Sequence, residues 1–401
     1  PEVLIAARAV LAVGAAAMMP ATLALIRTTF TVERERNIAI AVWGSMSVIG
    51  FALGPIIGGT LLEFFWWGSV FLINVPVVVL ALVATWLIRP ANDPDPSKRW
   101  DAISSILAMI GLVGMVVAIK EIGHAPPSTT TIIVALLVAA IGFWLFVRRQ
   151  RGMEQPLLEF SIFGNPAFTA GVLAASFAMF AIGGIQLVTT QRFQQVAGFS
   201  PLEAGLLVAA AAVGTLPTAL LGGAFLHRTG LLALITGGLA FATGGVVVTV
   251  IGFQSSFGVL ILGLLLTGAG IGAALAVAST AIIGNVPVRR AGMAASIEEV
   301  SYEFGSLIAV SVLGSLLTAI YGARVVLPDG APDAAGNSIA EAQAAAQGDA
   351  EILQAAATAF DSAYLVVMLV VAVVLAVGAV ITGVLLRRYL PGTQSQLHSE
   401  H

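Results

Sequence analysis

Residues 363–386, AYLVVMLVVAVVLAVGAVITGVLL, run for 24 positions without a charged side chain. About 20 apolar residues span a bilayer as α-helix. The run is continuous rather than alternating, so it reads as a transmembrane helix and not as a barrel strand. Residues 68–88 repeat the pattern. Of 401 residues, 58% are hydrophobic and 10% are Asp, Glu, Lys or Arg, against roughly 25% charged in a soluble domain. So few charges cannot clothe a water-facing surface, and the fold class is an all-α polytopic membrane protein.

Working outward, eleven spans are expected, near residues 3–26, 38–62, 68–88, 102–119, 131–147, 167–190, 201–225, 231–252, 257–285, 291–321 and 361–387. Fourteen of the 18 Lys and Arg residues then fall in loops on one side. Lys120, Arg192 and Arg324 fall on the other, and Arg8 lies within a span. The positive-inside rule makes the basic side cytoplasmic, with the C-terminus there. The net charge of −3 adds nothing to that argument.

An internal repeat orders the spans. GAAAMMPAT at 14–22 aligns with GAALAVAST at 272–280, and Gly50 and GTLL at 59–62 align with Gly305 and GSLL at 314–317. Large parallel repeats mark secondary transporters. If spans one to three repeat as nine to eleven, three further spans are expected upstream, fourteen in all. The chain divides accordingly into residues 1–90, the end of an N-terminal bundle, and 91–152, an inserted helix pair. Residues 153–390 form a six-helix C-terminal bundle with an outside loop at 322–360, and 391–401 a cytoplasmic tail. In that loop LPDGAPDAAGN (327–337) reads as turns, and the Ala/Gln/Glu stretch after it suits a short helix.

Charges inside spans are costly, about 2.5–3.5 kcal/mol each at the helix centre on insertion scales, and mark function by default. The richest cluster is SIEEVSYEFG (296–305), with Glu298, Glu299 and Glu303. Glu299 and Glu303 share a face, and Glu298 stacks with Tyr302 by the same spacing. Three carboxylates on one helix cannot all be ionised in low dielectric; such groups suit reversible proton binding and attraction of a cationic ligand. Glu298 has a second reading, as a complement to the helix N-terminus near Arg290. Glu303 lies roughly 20 Å from Arg290 along the helix, near mid-bilayer. Arg8 either snorkels outward or pairs with an acid on an upstream helix. Trp43 and Tyr302 are the aromatics expected in a substrate cavity. Gly50, Gly54, Pro55, Gly58 and Gly59 allow close, bendable helix contact where rocking halves could seal. Trp66 and Trp67 suit an interfacial belt.

Other chemistry has little support. There is no cysteine, and the four histidines are scattered, so no metal site is expected. Neither Lys98 nor Lys120 sits in a phosphate-binding loop. No Ser/His/Asp arrangement and no basic aromatic patch is present, so neither an enzyme nor a nucleic-acid partner is expected.

These residues resemble the 14-helix drug:proton antiporters of the major facilitator superfamily, especially the multidrug and quaternary-ammonium efflux pumps of Gram-positive bacteria and mycobacteria. AARAVLAVGAAAMMPATLALI (6–26) is similar to that family's fourth-helix motif through Arg8, Gly14 and Pro20. WGSMSVIGFALGPIIGG (43–59) with FLINVP (71–76) resembles the antiporter motif of the fifth helix and the start of the sixth. The acidic stretch resembles EExxYxxG in the thirteenth helix, and GAFLHRTG (223–230) is a weak echo of a signature loop. The family's first-helix acid has no counterpart here.

The resemblance implies two six-helix bundles flanking an inserted pair, with Glu299 and Glu303, and less directly Glu298, recognising lipophilic cations. It implies a monomer in the bacterial inner membrane, powered by the proton gradient without a cofactor and contacting substrate, protons and lipid. Two other readings stay open: the same fold exporting a native lipid or metabolite, and a non-transporting membrane subunit.

Overall fold

The computed structural model describes residues 2–30, 32, 35, 39, 50, 53–88, 101–122, 127–153, 156–287, 290–346 and 348–389. The elements are α1 (Glu2–Thr29), α2 (Leu53–Phe64), one turn at Ser69–Leu72, α3 (Asn74–Ile88), α4 (Ala102–Ile122) and α5 (Thr129–Arg151). There follow α6 (Pro166–Gln195), α7 (Pro201–Leu231), a π-turn at Leu232–Thr236, α8 (Gly237–Ser255), α9 (Phe257–Ile283), α10 (Ala291–Arg324), α11 (Ile339–Ala346) and α12 (Ala350–Leu386).

Among the described residues, nine helices are long and apolar enough to cross a membrane. The first expected span is the 28-residue α1. The second appears as α2, and the earlier part of that span, except positions 39 and 50, lies outside the described residues. Large apolar side chains point away from neighbours, as with Leu80, Leu220 and Val380 at 70%, 67% and 67% exposure. Only lipid tolerates such a surface.

Local signals set the helix starts. Asn165 accepts hydrogen bonds from the Ala167 and Phe168 amides, with Pro166 in the first turn of α6. Ser200 and Glu203 form a reciprocal cap on α7. Asp349 accepts from the Glu351 amide and starts α12 eleven residues before the expected position. The loop expected at 322–360 is therefore shorter, because α10 continues to Arg324. It also packs: Ala335, Ile339, Ala342 and Ala346 are buried, and Tyr321 Oη donates to the Ala335 carbonyl at 2.8 Å. The Gln343 side chain reaches the Gln195 carbonyl at the end of α6.

Helix α9 lies against α6, α7 and α8; α6 packs on α10 and α12, and α12 on α8. Contacts between these helices use small residues, as hydrocarbon supplies no hydrophobic drive between them. A Cβ on Gly238 would lie 2.7 Å from the Gly270 carbonyl oxygen. At the turn from α7 to α8, Gly230 takes φ +78°, which other residues rarely adopt.

Helices α4 and α5 pair with each other and touch the larger bundle through α10. Arg149 clasps Asp101 from two nitrogens, at 2.9 and 3.1 Å. Ser104 donates to the same carboxylate through its amide and its hydroxyl. Gln150 extends the network, donating to Ser104 Oγ at 2.7 Å and accepting from the Leu158 amide at 3.0 Å. Arg290 then binds Glu159 at 2.7 Å, at the start of α10. Arg148, Arg149, Arg151, Arg228 and Arg290 thus gather at one end of the molecule, called the basic end below.

The hydrogen bonds from Arg149, and next those from Ser104, hold the Asp101 carboxyl well below the usual carboxylate range. A depressed acid stabilises the fold above its unfolded pKa and stops doing so only as the pH falls through the lowered one. Asp101→Asn should therefore lower the thermal midpoint in detergent by the same amount at pH 5 and pH 8. A difference that closes between those values would remove the clasp as an anchor. Gly142→Leu tests the α4–α5 contact, because a Cβ at Gly142 meets the Gly111 amide nitrogen at 2.7 Å. Overpacking of this kind costs about 1–3 kcal/mol, and an unchanged melting midpoint would show that the pair separates freely.

Candidate functional site

The acidic stretch forms nearly three turns of α10, and its carboxylates have different surroundings. Glu298 points into the protein and is 8% exposed. Its Oε1 accepts from Tyr302 Oη at 2.7 Å, four residues on, and its Oε2 accepts from Ser279 Oγ of α9 at 3.2 Å. Among the described residues it has no Lys or Arg in ion-pair range. Eight residues into the helix and bonded to hydroxyls, it does not serve the helix N-terminus. Glu299 is half-buried, and Glu303, the acid expected deepest in the membrane, is exposed. Height along the helix does not settle which way a side chain faces. Tyr302 is brought to the site as Glu298's donor.

Arg8 is exposed on α1, its guanidinium 5.6 Å from the centre of the Phe71 ring. That contact is aromatic rather than acidic among the described residues. Trp43, expected in the cavity, lies outside the described residues. Trp66 and Trp67 are exposed and meet edge to face at 5.7 Å.

The glycine motif comes together with a partner that sequence inspection does not name. A Cβ on Gly59 would lie 2.6 Å from the Pro201 carbonyl oxygen, and one on Gly205 would collide with the Pro55 carbonyl. The backbones of α2 and α7 are thus in contact at the end away from the basic loops, and the Leu202 amide donates to Glu63 at 3.4 Å. Beside this contact is a cavity of ≈ 410 Å³, lined by Gly50, Gly54, Pro55, Gly58, Gly59 and Leu62 on one wall. Gln186, Thr190 and Gln194 of α6, with Pro201 and Gly205, form the other.

Sequence reasoning missed two arrangements. Ser279 lies within the repeated GAALAVAST, whose small residues put α9 close enough to reach Glu298; that repeat was the available signal. Arg192 of α6 binds Asp361 of α12 at 2.8 and 3.2 Å, with the Phe253 ring 4.6 Å away. Charges 169 positions apart give no local sign of pairing.

Sequence comparison matches the Major Facilitator Superfamily over residues 1–191 and again over 171–327. The multidrug efflux pump LfrA of Mycolicibacterium smegmatis is 33% identical over 398 residues, covering 96% of this chain and 79% of that protein. The methyl viologen resistance protein SmvA of Salmonella typhimurium is 37% identical over 336 residues, covering 82% of this chain and 66% of that protein. The multidrug resistance protein Stp of Mycobacterium tuberculosis is 30% identical over 317 residues, covering 79% and 59%. The chain thus spans about three-fifths to four-fifths of these relatives' lengths. Among solved structures, a bacterial homologue of the human lysosomal transporter Spinster superposes with a TM-score of 0.52 at 19% identity, covering 92% of this chain and 74% of that one. The superposition supports the fold, and the sequence matches establish the kinship: this chain is a multi-pass membrane protein of the Major Facilitator Superfamily, a transporter and not an enzyme.

Proposed function

We propose that the chain works in a proton-coupled exporter of lipophilic cations, moving them by alternating access across a bacterial cell membrane with the basic end in the cytoplasm. The observation that carries this reading is Glu298, a buried carboxylate on a spanning helix whose partners are two neutral hydroxyls. An isolated charge buried in low dielectric is costly, and it is neutralised by a proton or by a cation. One carboxylate open to either, in turn, is an exchanger. Protons arriving from outside displace the cation, and loss of the proton to the cytoplasm restores the site.

Glu299 and Glu303, on the more open side of the same helix, attract cations towards it. The positive-inside distribution supports the orientation. The relatives' names support drug export, and methyl viologen, named for one of them, is itself a cation. The α2–α7 contact acts as the outer seal, Arg8 steers charge at the outer end of α1, and the exporter acts as a monomer with no cofactor.

Ethidium efflux driven by an imposed pH gradient tests the exchange. Glu298→Gln keeps the shape and a hydrogen-bonding partner for Tyr302 but cannot exchange a proton. It should cut the driven rate by at least about tenfold, the scale of one charge-assisted hydrogen bond. Glu303→Gln should raise the half-saturating ethidium concentration with a smaller effect on the maximal rate. Wild-type behaviour of both variants would remove the carboxylates from the mechanism.

The seal can be tested separately, since the chain has no native cysteine. Linking Glu63→Cys to Leu202→Cys with a short cleavable crosslinker should stop efflux, and cleavage should restore it. Unchanged efflux from fully linked protein would show that α2 and α7 need not part.

A further inference from the structure

The cavity beside the α2–α7 contact presents a polar wall that carboxylate exchange does not use. Gln186, Thr190 and Gln194 recur every four residues and so stand on one face of α6. All three line the cavity, and none has a hydrogen-bond partner among the described residues. Thr249 and Thr267, elsewhere in the spans, are satisfied within their own helices, donating to Gly245 and Gly263 one turn back at 3.0 and 2.8 Å. Each glutamine offers a carbonyl acceptor and two N–H donors, and Thr190 one of each kind. At membrane depth such groups are favourable only where water or a ligand can meet them.

Among the described residues, none that lines the cavity carries a charge. The described part of the facing wall is four glycines with Pro55 and Leu62, a wall with few projecting side chains against which a flat ring can lie. A volume of ≈ 410 Å³ falls within the range of small-molecule sites, roughly 300–1,000 Å³. The position is also defined. Gly183, three residues before Gln186, lies against Ser306 of α10, three residues beyond Glu303. At 1.5 Å per residue, Gln186 sits about 9 Å further than Glu303 towards the α2–α7 contact, and Gln194 about 12 Å beyond Gln186.

We propose that Gln186, Thr190 and Gln194 form a second substrate subsite, separate from the acids of α10, that takes neutral hydrogen-bonding groups of a planar aromatic substrate, such as aromatic amines, amides or ring nitrogens. The inference rests on the exporter reading for its biological meaning, but binding tests it without any gradient. Ethidium is planar and carries two aromatic amines. Tetraphenylphosphonium is a lipophilic cation with neither a hydrogen-bonding group nor a flat shape.

Equilibrium binding of both probes is measured on the purified full-length protein, comparing wild type with Gln186→Leu, Gln194→Leu and the double variant. The double variant should weaken ethidium about tenfold, as expected for two neutral hydrogen bonds. Its affinity for tetraphenylphosphonium should stay within about twofold, which also reports that the protein is folded. Equal losses for the two cations, no loss for ethidium, or a wild type that binds neither would each overturn the subsite. Selective loss of ethidium binding, combined with wild-type protein that shows no gradient-driven efflux, would sustain the subsite and count against the exporter.

Discussion

Close backbone approach between helices is the constraint on which the rest of this structure depends. In hydrocarbon, apolar side chains gain nothing by meeting each other rather than lipid, so helices associate through van der Waals contact that small residues permit. Helix α9 shows the result: Gly245 faces Thr267, Gly263 faces Thr249, and Gly238 faces Gly270 and Ala274. The threonines at these contacts turn their hydroxyls onto carbonyls of their own helices. The two threonines at this contact thus leave no unmet hydroxyl, and α9 is held closely against α7 and α8.

The position of the buried acid follows from that packing. Ser279 belongs to α9, and it reaches Glu298 only because α9 is fixed by its neighbours. At the basic end the chain of contacts from Asp101 through Gln150 to the segment before α6, and the Arg290–Glu159 pair, ties the start of α10 to α4 and α5. The Glu298 carboxylate is thus set by one helix that glycines hold and by another that ion pairs anchor. The α2–α7 contact uses the same small-residue device, but with a cavity beside it and amides that have no partner among the described residues. A glycine contact flanked by a cavity can part without breaking a packed core, which suits the moving seal proposed for it.

Much of the fold was legible because lipid imposes a simple pattern. Run length located the helices, and glycine spacing located the α2 motif. What failed did so for physical reasons. Axial distance from Arg290 gave Glu303 its height but not its burial, which depends on rotation about the helix axis and on which residue of a neighbouring helix stands opposite. The segment 350–360 carries too much polarity to read as a span, yet a cap at Asp349 and burial of Ile352, Ala356 and Phe360 continue α12 through it. Arg192 falls in an expected loop, and Asp361 is the first residue of the last expected span; only the fold makes them a pair. The Gln186, Thr190, Gln194 spacing was present in the sequence, but a period of four also describes an ordinary polar helix face, and only the cavity distinguishes the two.

In the proposed exchange, the absence of charge among the described residues that line the outer cavity matters as much as the carboxylates below it. A cation leaving Glu298 for a second buried carboxylate lining the cavity would meet another deep well, and its release would again require a proton; Glu63, at the seal, is exposed and does not line the cavity. Amides and a hydroxyl behave differently. Neutral hydrogen bonds contribute about 0.5–1.5 kcal/mol each, and those to charged groups about twice that. A neutral track can therefore replace part of the water a substrate has lost while holding it too weakly to retain it. Proton coupling is then confined to α10, and recognition of substrate shape is left to α6 and the glycine wall of α2. Selectivity among substrates could thus change without altering the proton exchange that drives them.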